Sequence, residues 1–161
     1  MPVVEGPPQP WDDMAYAERK SYMMRTVRPT MAKLFRAYDP VEFANFGCHT
    51  CHGEDLNERH HEMPNALPLL WPTGTPEQRQ TVDNHPKMVK FMFNRVRPTM
   101  RDLLGLQDYD PEAGEGFGCF SCHPRGDAQG PGGTEEPPPA DAMPPPSEMP
   151  PLTDMPSPVD P

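Results

Sequence analysis

The chain has 161 residues, of which 26 are proline and 13 are Phe, Tyr or Trp; 35% are apolar, and the formal net charge is −10. Proline at about three times its usual ~5% share excludes one compact domain of full length, and the aromatic shortage excludes a large apolar core. The acidity argues against nucleic acid as a partner, because no basic stripe exists to displace counterions from phosphates. No run of about 18 apolar residues occurs, so no segment is expected to span a membrane.

Residues 1–10, MPVVEGPPQP, are expected to be a flexible N-terminal segment with neither the basic start nor the apolar stretch of a signal peptide. From about Trp11 to Tyr38 a helix is predicted, because Met23, Val27, Met31, Leu34, Phe35 and Tyr38 recur every three or four residues. Pro29 falls inside it, removes one backbone donor and predicts a bend about half a turn before Met31. Asp39-Pro40 reads as a turn into a short return segment that ends at Cys48-His49-Thr50-Cys51-His52. A second helix is predicted from about Pro86 to Leu106, with Met88, Met92, Val96, Met100, Leu103 and Leu104 on its apolar stripe and Pro98 inside it. Asp110-Pro111 is again a turn, and Cys119-Phe120-Ser121-Cys122-His123 follows.

The last segment, 125–161, holds 12 prolines and seven acidic residues against one basic residue, Arg125, and has no aromatic residue. An acidic, proline-rich segment of this kind cannot offset its ordering entropy and is expected to be a disordered tail. The predicted organisation is mainly α: the N-terminal segment 1–10, a domain over 11–124 built from repeat units at about 12–53 and 86–124 with few or no strands, and the tail.

Each Cys-x-x-Cys pair is followed at once by a histidine, the attachment signature of a c-type haem. Thiols about one helical turn apart can each add to one vinyl group of the same porphyrin, and the adjoining imidazole then meets the iron. Cys48, Cys51, Cys119 and Cys122 are therefore the candidate covalent anchors of two haems c, with His52 and His123 as proximal iron ligands. A zinc site built from the four thiolates is the main rival. Zinc ribbons, however, usually separate their pairs by about 15–20 residues, whereas 67 residues lie between Cys51 and Cys119.

The two motifs belong to a longer repeat. Val27-Arg28-Pro29-Thr30-Met31 recurs as Val96-Arg97-Pro98-Thr99-Met100, Tyr38-Asp39-Pro40 as Tyr109-Asp110-Pro111, and Phe46-Gly47-Cys48 as Phe117-Gly118-Cys119. Duplication of one haem-binding unit is the simplest account.

The unit's geometry nominates a sixth ligand. Met31 lies seven residues before Tyr38, about 10 Å back along the axis, and a return of one or two helical turns covers about 12 Å. Met31 and Cys48 are thus expected to meet, with Met100 in the same context in the second copy. Met23, at about 22 Å, needs a nearly extended return and ranks second. A methionine on an apolar stripe is otherwise ordinary core filler. Met63, His60, His61 and His85 compete for the position; none has a counterpart in the other copy, and each is expected to be exposed.

These residues resemble the multihaem c-type cytochromes, in particular the helix, turn, Cys-x-x-Cys-His units of the cytochrome subunit of photosynthetic reaction centres. The resemblance covers Met31 to His52 and Met100 to His123. It implies a methionine on the preceding helix as axial ligand and a haem lying along that helix. That subunit usually carries four haems on a longer chain, and it has no acidic proline tail.

Electron transfer between redox proteins is the expected function, with His/Met or His/His axial ligation and no catalytic residues. Arg28 or Arg97 is a candidate counter-charge for haem propionates. One alternative is a small haem enzyme or ligand sensor with an open iron site; another is a zinc-binding module. Haem attachment implies a periplasmic or extracytoplasmic location, so an export leader, or an anchor that tethers the protein to a membrane, is expected to be missing from the sequence.

Overall fold

The computed structural model describes residues 6–63 and 67–127. These fall within the first of two compact units, Met1–Ala128; the second, Gln129–Pro161, lies outside the described residues, and with it nearly all of the expected tail. The described chain is mainly helical. Among its residues, bridges outside the helices are isolated ones, joining Leu70 with Arg125, Asp108 with Phe117, and Asp110 with Glu115.

The first long helix is built from α1 (Tyr16–Tyr22), a π-helical turn (Met23–Val27) and α2 (Arg28–Tyr38). It begins later than the apolar periodicity predicts. Trp11–Asp13 forms a separate 3₁₀ turn, and Met14 and Ala15 are extended. Arg19 holds this arrangement by donating from Nε to the Trp11 carbonyl (3.0 Å) and from its terminal nitrogen to the Asp12 carbonyl (2.9 Å). Glu18 then accepts the Ala15 N–H at 2.8 Å, which satisfies one of the donors orphaned at a helix start.

The second long helix repeats the plan with α5 (Pro86–Phe91), a π turn (Met92–Val96) and α6 (Arg97–Leu104). A proline ring inside a helix clashes with the carbonyl four residues back. In both helices the turn ahead of the proline is widened, so that Arg28 N–H reaches Met23 O and Arg97 N–H reaches Met92 O, each five residues back. The irregularity imposed by Pro29 and Pro98 thus takes the form of a π turn.

At the end of α6, Gly105 adopts φ 66°, with Gly105 N–H bonded to Asp102 O and Leu106 N–H to Arg101 O. This Schellman closure stops the helix just short of the predicted end. Gly6, part of the N-terminal segment, packs against Gly105.

The remaining helices are α3 (Cys48–His52) and α4 (Pro76–Asn84). The latter was not anticipated from hydrophobic periodicity. Its start is nevertheless well specified: Thr75 accepts the Gln78 N–H at 3.2 Å and Pro76 opens the first turn.

The two long helices run antiparallel. Tyr22, early in the first, donates its hydroxyl to Leu103 O at the far end of the second (2.7 Å), while Tyr38, at the end of the first, stacks on Phe91 near the start of the second (4.1 Å, 13°). Between these ends Val27, Met31, Phe35, Phe91 and Leu103 form the buried core. Ring edges add to area burial here: Phe35 meets Phe91 edge-on at 5.2 Å.

Candidate functional site

Both Cys-x-x-Cys-His segments are reached by the same sequence of local devices. In the first copy α2 ends at Asp39, whose Oδ1 accepts the N–H groups of Val41 (3.0 Å) and Glu42 (2.9 Å) and folds the chain at Pro40. In the second, Asp110 Oδ1 accepts from Glu112 (2.8 Å) and Ala113 (3.4 Å) around Pro111. Such Asx turns explain why both copies carry Asp-Pro. Phe43 and Phe46 then return onto Phe35, at 4.8 and 4.9 Å between ring centres. The chain that leads into Cys48 is thereby held against Phe35.

The motifs themselves open alike. Gly47 N–H donates to Thr50 Oγ1 (3.0 Å), and Gly118 N–H donates to Ser121 Oγ (3.1 Å). A side chain on either glycine would crowd a ring: a Cβ on Gly47 would lie 2.9 Å from the His49 imidazole, and one on Gly118 3.2 Å from Tyr109 Cβ. The residues between and before the cysteines therefore have structural duties of their own.

In α3, Cys48, Cys51 and His52 stand at i, i+3 and i+4, one face of a helix. In the second motif a 3₁₀ turn, Cys119–Ser121, is followed by His123 N–H bonding to Cys119 O at 2.9 Å, so a single turn again joins the first cysteine to the histidine. All four cysteines are free thiols. Burial pushes the Cys51 thiol up to about 12, with smaller contributions from Cys122 and then Cys48, and burial, then Cys119, pushes Cys122 up to about 11. The second cysteines of the two motifs thus lie within electrostatic reach of each other. Cys119 is exposed.

The two histidines are set differently. The segment before α4 pairs with the chain after the second motif: Leu70 N–H bonds Pro124 O (2.9 Å) and Gly126 N–H bonds Leu70 O (2.8 Å). This ladder places the Pro68 carbonyl 2.7 Å from His123 Nδ1. A carbonyl can only accept, so Nδ1 carries the proton and the Nε2 lone pair is free for a metal. At His52 the neighbour is His61, whose ring centre lies 5.4 Å away at 73°. The His52 Nδ1 is buried without a hydrogen bond among the described residues, and the net effect lowers the ring's basicity, through burial first and then the charge of His61, while the His61 backbone acts as a hydrogen-bond partner that raises it.

The methionines also differ. Met31 is 3% exposed within the helix–helix core, whereas Met100 is partly buried at its margin. Among the competing ligands, His60 and His85 are exposed, Met63 is half-buried, and His61 turns inward to His52. Arg28 is exposed; Arg97 lies 4.6 Å over the Phe93 ring and 3.9 Å from Asp108, with its Nε buried and unpaired. Arg101 also pairs with Asp108 and, at 2.7 Å, with Asp102.

The donor set fits a covalently held haem: paired free thiols one turn apart, an adjoining imidazole, and in the second copy a tautomer fixed for metal binding. The Pro68 carbonyl was invisible to motif reading, since any residue carries one and only the fold selects it. Among the described residues, no group of three or more His, Cys, Asp or Glu is gathered to hold a metal ion, and no helix is long and apolar enough to cross a membrane. Comparison with protein-family models, curated proteins and solved structures gives no match.

Proposed function

We propose that the chain is a dihaem c-type cytochrome that passes single electrons between redox proteins outside the cytoplasm. The observation that carries this reading is the His123–Pro68 bond at 2.7 Å. Metal-ligating histidines characteristically donate their second ring nitrogen to a carbonyl or carboxylate, which fixes the ring and raises its basicity. A histidine that merely followed a dithiol would have no need of it.

Bound haem supplies a one-electron iron couple. The chain's own residues do the rest. Cys48 and Cys51 would hold one porphyrin through thioether bonds and Cys119 and Cys122 the other, and His52 and His123 would supply an imidazole nitrogen to each iron. The repeat nominates Met31 and Met100 for the opposite positions. Phe35, Phe43 and Phe46 pack together and anchor the segment that leads into the first motif. The tetrathiolate alternative has less support, because 67 residues separate Cys51 from Cys119 where zinc ribbons usually have about 15–20, and because it gives the two adjoining histidines no role.

The test is expression with a haem-attachment pathway, then denaturing gel electrophoresis with a haem stain and quantification as the pyridine haemochrome. Two haems that stay with the denatured chain are expected. A chain that takes up none under these conditions sinks the proposal.

A further inference from the structure

We infer that His61, not Met31, is the sixth ligand at the first motif, so that the protein pairs a His52/His61 site with a histidine–methionine site at the second motif. This rests on the dihaem reading above.

Two imidazoles that share one metal through nitrogens about 2.0 Å from it have ring centres about 6 Å apart. His52 and His61 have ring centres 5.4 Å apart with planes near perpendicular, within about 1 Å of that spacing. No other imidazole makes a ring contact with His52 among the described residues.

The loop that carries His61 is built to return it. Gly53, at φ 80°, reverses the chain directly after His52. Arg59 donates to the His52 carbonyl at 3.1 Å and pairs with Asp55, and His61 N–H closes the loop on Leu56 O at 2.8 Å. His60 and His61 both take left-handed backbone conformations, φ 51° and 61°, which non-glycine residues seldom adopt. Tyr16, from the first turn of α1, lies with its hydroxyl 3.0 Å from His61 Nδ1. With Nδ1–H donating to that hydroxyl oxygen, Nε2 keeps its lone pair for the iron. Tyr16 thus has at the first site the orienting role that the Pro68 carbonyl has at the second, but acting on the distal imidazole.

Met31 is placed for a different task. Its side chain is enclosed by Val27, Phe35, Phe91 and Leu103, where a thioether fills space between aromatic rings. Leaving that position to reach a metal would open the helix–helix core. Met100, at the margin of the same cluster, has no such restraint. The repeat is therefore one of backbone and not of ligation. Since axial methionine raises a haem potential above that of a bis-histidine site, the first haem would be the low-potential one and the second the high-potential one.

The test uses the full dihaem protein and its His61→Ala, His61→Met and Met31→Leu variants, with haem per chain counted first. His61→Ala should raise carbon monoxide uptake by the reduced protein by about one equivalent per chain over the unsubstituted protein, and added imidazole should reverse the gain. Met31→Leu should leave both carbon monoxide uptake and the near-red methionine–iron absorption of the oxidised protein unchanged. If His61→Ala does not assemble, His61→Met decides: it should add about one equivalent of that absorption. Two haems per chain with no gain in uptake in His61→Ala, or no added absorption in His61→Met, overturns the assignment of His61 alone, as does loss of the absorption in Met31→Leu. Absence of haem overturns the cytochrome reading and this inference with it.

Discussion

Gly126→Ala tests whether the Pro68 carbonyl sets the state of His123. An alanine Cβ at this position would lie 2.4 Å from the Trp71 indole and 2.6 Å from Leu69 Cδ2, against an ordinary contact of 3.4 Å or more. The backbone must separate by about 1 Å to admit it. Because Gly126 N–H and Leu70 O form part of the ladder that carries Pro68, the same displacement stretches the 2.7 Å bond at His123 Nδ1 beyond hydrogen-bonding range. Such a bond is worth about 1 kcal/mol, and the part of it that differs between oxidised and reduced iron moves a one-electron couple by at most about 40 mV. The sign is upward, since a less basic imidazole stabilises the oxidised iron less. On the dihaem reading, a spectroelectrochemical titration should show one midpoint raised by up to about 40 mV while the other stays within about 10 mV. Two unmoved midpoints, with the far-ultraviolet circular dichroism intact, would refute the argument.

Phe35→Ala removes the ring that touches Phe43, Phe46 and Phe91 together, and should cost about 3–5 kcal/mol in denaturant unfolding; a loss under about 1 kcal/mol would show that the return segment is not anchored there. Thr50→Val and Ser121→Ala each strip the acceptor from a glycine N–H ahead of a motif, and each should lower the unfolding free energy by about 1 kcal/mol. Similar losses in the two variants are expected, and a loss in one alone would contradict the equivalence of the two turns. In chain made without haem attachment, Cys51, pushed up to about 12 by burial, should be alkylated at pH 8 at least about tenfold more slowly than an ordinary thiol. Exposed Cys119 should react first, and equal rates would show that Cys51 is not buried.

Much of the fold can be read from the chain because its signals are local. Apolar spacing of three and four residues marks both long helices, and Asp39-Pro40 and Asp110-Pro111 mark the turns that end the first and precede the second motif. The first helix starts at Tyr16 and not at Trp11, because the Trp11 and Asp12 carbonyls are taken by the Arg19 side chain instead of by helix, a contact that apolar spacing does not encode. Helix α4 escaped notice for the opposite reason: its residues, PEQRQTVDN, are nearly all polar, and only Thr75-Pro76 announces it. Within the candidate site, the cysteines and adjoining histidines are plain from spacing alone. His61 and Pro68 are not, because their value comes from a loop closure and from a partner 55 residues distant.

The paired π turns have a mechanical consequence. Each amounts to one extra residue in an otherwise regular helix, and one residue corresponds to about 100° of rotation about the axis. The halves of each long helix are therefore aimed by different rules: Tyr22 and Phe91 belong to one angular setting, Met31 and Met100 to another. Removing a single residue from Met23–Val27 would let the joint close as ordinary α-helix with both halves still facing the core, and would bring the Pro29 ring against the carbonyl four residues back. The extra residue is what lets one helix carry both a proline and a continuous apolar face.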